Sequence, residues 1–211
     1  IVIGTQLVTK GHDFPEVTLV GVILSDLSLN IPDFRSSERT FQLLTQVAGR
    51  AGRGKKPGEV LIQTHNPRHH SLICAKEHDS LQFHKIELEN RNNLRMPPNY
   101  SLTMILCSSP SEERAESLAR ELGTKIKTIL SDNKSTNINM INYSNSNYTA
   151  NIVGPFEAPI KKLRNRYRWQ LILKADDIRP LLNLLHMVFE NSPTIKRGEL
   201  IQIDVDPHNL M

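Results

Sequence analysis

Arg50 and Arg53 stand three residues apart in QVAGRAGR, residues 46–53, with Gly49, Ala51 and Gly52 as close neighbours. Two permanently charged guanidiniums beside residues with almost no side chain suit an anion. The planar fork donates several hydrogen bonds at once, and the small neighbours let the backbone approach a bulky ligand. The competing reading is a solvated helix end, where the dipole favours basic residues. A second stretch shifts the balance. GTQLVTKGHDFP, residues 4–15, carries Thr5, Gly11 and Asp13 where a strand runs out into a loop. Ligands of open α/β sheets bind beyond the carboxyl ends of strands. A threonine hydroxyl and exposed amides can hold a nucleic-acid phosphate there, and Asp13 can orient an arginine or a ribose hydroxyl. Thr5, Gly11, Asp13, Gln46, Gly49, Arg50 and Arg53, in this order and spacing, form a specific set.

Gly49, Gly54 and Lys55 nearly spell a phosphate-binding loop, but Lys56 stands where Ser or Thr would hold Mg2+. The stretch also follows a helix, and Pro57-Gly58 breaks any helix after it. A working loop needs a strand before and a helix behind, so this reading is rejected. No other such loop is present, nor an Asp-Glu pair of the DEAH type.

A second candidate is KKLRNRYRW, residues 161–169, with Lys161, Lys162, Arg164, Arg166 and Arg168 interleaved with Tyr167 and Trp169. On a strand, Tyr167, Trp169, Leu171 and Leu173 share one face, and Arg166, Arg168, Gln170 and Lys174 the other. If helices cover the aromatic face, the basic face lies open to phosphates. The opposing possibility is neutralisation by Asp204 and Asp206 on the last strand, although the usual strand order separates the two strands. His12, His65, His69, His70, His78 and His84 have no zinc-ligand spacing and read as solvated. Cys74 and Cys107 lie in apolar runs far apart and read as buried thiols.

These residues need elements to hold them. Ile1–Ile3, residues 17–24 and residues 59–63 read as strands, the second apolar enough to be covered on both faces. Residues 36–48 read as a helix capped by Ser36 or Ser37, with Phe41, Leu44 and Val47 or Ala48 on one face. Strand, helix, strand makes part of an α/β layer with an edge missing. Residues 69–95 are polar and helical, with a thin stripe of Leu72, Leu81, Ile86 and Leu94, stopped by Met96-Pro97-Pro98. Then follow a strand (100–107) and a helix opened by Ser109 as cap and Pro110 at its first position. An Asn- and Ser-rich mobile insert (132–149) comes next, then strands near 150–158 and at 166–174. A helix from Asp176 or Asp177 carries Ile178, Leu181, Leu182, Leu185 and Val188, and the last strand spans 199–207. The order βαββαβ is the split βαβ arrangement.

The chain has 211 residues, 38% hydrophobic and 23% charged, with a net charge of +4. It is a globular composition with a mild basic bias, and no apolar run is long enough to span a bilayer.

On these residues the chain resembles a known family. Residues 4–15 are similar to motif V, and residues 46–53 to motif VI, of superfamily 2 helicases, which lie on the second RecA-like lobe. LNIPDFRSSERTFQLLTQVAGRAGRG, GEVLIQT, PP, GP, YRWQ and the closing DVDP extend the likeness to the primosomal protein N′ (PriA) family of replication-restart DNA helicases. It covers nearly the whole chain, from motif V onward. The resemblance implies an α/β fold: a partial RecA-like helicase lobe 2 (1–68), a helical connector (69–98) and an α+β split βαβ (ferredoxin-like) DNA-binding domain (99–211). It implies Arg53 as the arginine finger on the γ-phosphate of ATP, Arg50 as its companion and Gln46 organising that interface. Thr5 and Gly11 would touch DNA, and Asp13 would couple the DNA strand to the nucleotide. It further implies ATP with Mg2+ in a site shared with another lobe, and 3′-to-5′ movement on forked or single-stranded DNA. Partners would be single-strand-binding protein and other primosome proteins, in a bacterial cytoplasm. The family's zinc belongs to a cysteine-rich module for which this chain has no ligands. The chain reads as the C-terminal part of something longer and is expected not to hydrolyse ATP alone. The alternative is a non-catalytic nucleic-acid-binding module.

Overall fold

The computed structural model describes residues 1–5, 17–49, 51, 57–135, 150–190 and 195–210, without the side chains of 132–135. The chain divides into two compact units, Ile1–Asn90 and Arg91–Met211.

In the first unit, β1 (Leu19–Val22) and β2 (Glu59–Ile62) pair in parallel, Leu19 facing Glu59 and Val22 facing Ile62. The strands connect through α1 (Asp26–Leu29) and α2 (Ser36–Ala48), as parallel strands require a crossover. Val22 and Ile62 turn inward and pack on the core, while Leu19 and Leu61 are more than half exposed. The expectation of a strand covered on both faces therefore fails: among the described residues only one face of this two-stranded sheet is packed. Ile1–Ile3 form no strand, for no neighbouring strand among the described residues offers them hydrogen bonds.

The helix at 36–48 has the expected bounds but a different cap. Its cap residue is Arg35, with no side-chain cap bond, and Ser36 Oγ donates to Asp33 O at 2.7 Å. The buried Asp33 carboxylate instead accepts from Arg35 N–H (2.8 Å) and Arg39 Nη1 (3.0 Å). Asp26 is equally built in: it accepts from Thr64 Oγ1 and His65 N–H, each 2.8 Å. The His65 amide is the main reason its carboxyl lies below the usual value. This bond ties the start of α1 to the end of β2. Helices α3 (His70–Lys76) and α4 (Ser80–Asn93) follow. The core of this unit gathers Phe41 and Leu44 from α2, Leu72, Cys74 and Ala75 from α3 and Phe83 from α4. Phe41 and Phe83 stack with ring centroids 4.1 Å apart. Leu81 and Leu94, placed on the apolar stripe from sequence, are exposed, and Phe83 holds the position instead. His69 and His70 are not solvated. His69 caps α3 through Ser71 N–H, and His70 Nε2 lies 3.0 Å from the buried Glu87 carboxylate. Burial lowers the His69 pKa.

The second unit runs β3 (Ser101–Ser109), α5 (Glu112–Ser135), β4 (Ala150–Leu163), β5 (Arg166–Ala175), α6 (Ile178–Glu190) and β6 (Leu200–Val205). The sheet order is β4-β5-β3-β6 with every neighbour antiparallel. This is the expected split βαβ, ferredoxin-like fold. Ala115, Leu118, Ala119, Leu122 and Ile126 of α5 are buried at helical spacing, the last four in one core with Ile105, Cys107, Leu171 and Leu173. From α6 the core takes Leu181, Leu184, Leu185 and Val188; Leu182, expected inside, is 46% exposed. Helix α5 starts two residues later than the Ser109-Pro110 signal suggests. Ser109 Oγ caps Ser111 N–H, and Ser111 Oγ accepts from Arg114 N–H at 3.4 Å. The Asn-rich insert lies, from residue 136, outside the described residues.

Candidate nucleic-acid interface

The basic stretch 161–169 is a hairpin, not a single strand. β4 runs to Leu163, Arg164 and Asn165 turn, and β5 begins at Arg166, which faces Leu163. Both turn residues have positive φ, 50° and 60°, as a two-residue hairpin turn requires to match strand twist. Lys161 and Lys162 thus belong to β4, and Arg164 to the tip.

The face opposite the helices was expected to lie open and basic. Instead it is closed over its centre: Gln170 is 2% exposed, Ile172 6%, Met104 7% and Arg168 9%. Arg168 Nη1 reaches back to Ile160 O at 3.5 Å. Arg166 is held by three bonds: Nε to Ser108 Oγ (3.1 Å), and Nη2 to Ser108 O (2.8 Å) and Gly198 O (2.9 Å). A guanidinium withdrawn from water needs such partners. All of them are neutral, so the charges persist. Neutralisation from β6 does not occur: β3 separates β5 from β6, and Gln202 and Asp204 face Leu106 and Met104.

The remaining cations sort by what they touch. Lys161 Nζ lies 2.7 Å from Glu112 and 2.9 Å from Glu157. These bonds, Glu112 first, hold its pKa above the usual lysine value. Lys162 Nζ sits 4.4 Å over the Tyr167 ring and is exposed. Arg164 is exposed, with no partner among the described residues. Trp169 is half-buried against the core with the Arg120 guanidinium 5.9 Å from its ring, a packed position rather than a stacking platform.

Arg166 also reveals residues that the sequence reading missed. Its bond to Gly198 O docks the turn before β6 beside the hairpin, and that turn carries the exposed Lys196 and Arg197. The run IKRGEL carried the signal, but only the sheet order shows that it lies at the hairpin end. There Lys162, Arg164, Lys196 and Arg197 stand exposed, backed by the charges of Arg166 and Arg168. Such a cluster concentrates positive potential where phosphates can reach it.

Of the other expected site, Gly11, Asp13, Arg50 and Arg53 lie outside the described residues. Thr5 is exposed in an irregular segment. Gln46 is exposed on the last turn of α2, and Gly49 ends that helix, its N–H bonded to Thr45 O at 3.1 Å. The described residues contain no group of three His, Cys, Asp or Glu side chains that could hold a metal. None of the described helices is long and apolar enough to cross a membrane.

Comparison with known proteins bears on the whole chain. Residues 92–208, from just before β3 to just after β6, match the primosomal protein N C-terminal domain family. The chain belongs to the PriA family. It is 38% identical to the replication restart protein PriA of Bacillus subtilis across its whole length, covering 24% of that protein. It is 36% identical to that of Synechocystis over 98% of this chain and 23% of the relative, and 31% identical to that of Treponema pallidum over 100% and 30%. The chain thus spans about a quarter of the length of the PriA relatives it matches. All three matches take in the first unit as well as the second.

Proposed function

We propose that this chain is the C-terminal portion of an ATP-dependent 3′-to-5′ DNA helicase of replication restart. It supplies the arginine finger from its first unit and DNA contacts from both. The observation that carries the reading is similarity along the whole of this chain to proteins named for replication restart, a span that takes in residues 4–15 and 46–53. In the longer protein, Arg53 and Arg50 would face the phosphates of ATP bound with Mg2+ on another lobe. Gln46, exposed one turn before Gly49, would line the same interface, and Asp13 would link it to a DNA strand held by Thr5 and Gly11. ATP hydrolysis there drives strand stepping. In the second unit, Lys162, Arg164, Lys196 and Arg197 would contact phosphates of forked or single-stranded DNA, with Arg166 and Arg168 setting the hairpin's position. Single-strand-binding protein and other primosome proteins would be partners of the longer protein.

Two measurements test this. Replacing Lys162, Arg164, Lys196 and Arg197 by Ala in the 211-residue chain should weaken binding to a forked DNA. It should also reduce the slope of log affinity against log salt by roughly 0.7–0.9 for each phosphate no longer neutralised; an unchanged slope removes the assigned interface. In the longer protein, Arg53→Ala should cut DNA-stimulated phosphate release by about three to five orders of magnitude while DNA binding persists. Full hydrolysis by that variant, or DNA-stimulated hydrolysis by the 211-residue chain alone, would overturn the assignment of Arg53.

A further inference from the structure

The outer edge of β6 has no strand beside it among the described residues, and the ladder shows which groups are left over. Asp206 N–H donates to Leu102 O at 2.9 Å, continuing the register in which Met104 faces Asp204 and Leu106 faces Gln202. In an antiparallel pair, residues that bond across alternate with residues that do not. Leu200, Gln202 and Asp204 therefore direct their N–H and C=O groups to β3. Ile201, Ile203 and Val205 direct theirs outward. The side chains of these three lie on the helix-covered face, yet the core reaches only Ile201; Ile203 is 42% exposed and Val205 39%. On the opposite face Gln202 and Asp204 are exposed, Asp206 follows, and their cross-strand neighbours are apolar.

The other edge of the same sheet is guarded. β4 breaks register between Val153 and Phe156 and again between Glu157 and Lys162, and contains Pro155 and Pro159. Bulges, prolines and lysines are the usual means of preventing strand addition. β6 has no proline and an unbroken register from Leu200 to Val205.

We propose that the β6 edge docks an extended protein segment, which adds as a fifth strand and alternates apolar residues with lysine or arginine. The main chain would bond to Ile201, Ile203 and Val205. The apolar residues would cover Ile203 and Val205, and the cations would lie beside Gln202, Asp204 and Asp206. Strand addition of this kind takes its affinity from the backbone and its selectivity from alternate side chains. Charge decides against a second copy as occupant. Antiparallel self-pairing about Ile203 would set Asp204 opposite Gln202 and Asp206 opposite Leu200 of the other copy. That leaves four carboxylates on one face, with the two Asp204 side chains as diagonal neighbours and no cation between them, so the charges repel and gain no partner.

The test uses the 211-residue chain without DNA, so its outcome is independent of the helicase reading. The probes are two labelled hexapeptides, acetyl-Lys-Val-Lys-Val-Lys-Val-amide and its Glu-for-Lys counterpart. Fluorescence anisotropy should show the lysine peptide binding at least tenfold more tightly. Hydrogen exchange should then slow at least tenfold at the amides of Ile201, Ile203 and Val205, while those of Gln202 and Asp204, already bonded to β3, change little. Gln202→Lys with Asp204→Lys, both exposed, should invert the peptide preference. Equal binding of the two peptides, protection elsewhere, or protection of the same three amides without peptide would overturn the proposal. So would a concentration-dependent dimer that protects them.

Discussion

Arg164 and Arg166 lie two residues apart and serve different ends. Arg166 spends its donors on Ser108 and Gly198, joining the hairpin, the end of β3 and the turn before β6. Arg164 has no such partner. Arg166→Ala should therefore destabilise the second unit by about 1.5–3 kcal/mol, the range for hydrogen bonds from a charged group. Arg164→Ala should stay within about 0.5 kcal/mol, as surface changes do. Urea melts of the two variants decide this; equal losses would mean that the Ser108 and Gly198 bonds contribute nothing. The residue types for phosphate binding were legible in the sequence, since five cations within eight residues are plain in KKLRNRYR. Which of them stay free was not. Lys161 is claimed by Glu112, 49 residues away in sequence, and Arg166 by a carbonyl 32 residues on. Long-range partners of this kind leave no local trace.

At the scale of elements, hydrophobic periodicity located most helices and strands, and the βαββαβ order followed from it. The hairpin escaped because its turn, Arg164-Asn165, has no glycine, the usual signature of positive φ at both central positions. The helix at 36–48 was legible at its observed bounds from Phe41, Leu44 and Val47, but its cap was not: Arg35 holds the cap position, and its N–H is bonded to the buried Asp33 carboxylate, a contact that Ser36 and Ser37 do not announce. Two glycines of the second unit separate conformation from space. Gly154 has φ +106°, and a Cβ there would meet Gln170 O at 2.9 Å and Phe156 Cδ1 at 3.0 Å. Gly198 has φ +92°, but its Cβ would meet only Pro110 at 3.7 Å. Both substitutions carry backbone strain of order 1–3 kcal/mol, and only Gly154→Ala adds a clash with main chain of β5. Thermal melts should place Gly154→Ala below Gly198→Ala. The reverse order would mean that β4 yields at residue 154 and that the close approach to β5 costs little.

Over the whole molecule, two cores of unequal size stand on either side of residue 90. Among the described residues the contiguous apolar core of the second unit joins thirteen buried side chains around a four-stranded sheet, and that of the first joins six beside a two-stranded sheet with one face uncovered. Burial of apolar area is the main favourable term in folding, so the first unit should be the weaker. The two cysteines report on each separately. Cys74 belongs to the smaller core and Cys107 to the larger, both buried. Burial raises both thiols, Cys107 to about 12, with Glu199 adding to the effect. The thiolate is the reactive form, so neither should react with a thiol reagent at pH 8 until its core opens. Labelling across a urea series, read by mass spectrometry on peptides containing each residue, should mark Cys74 at a lower concentration than Cys107. Coincident midpoints would show the cores opening as one cooperative body, and earlier labelling of Cys107 would contradict the ranking by buried apolar side chains.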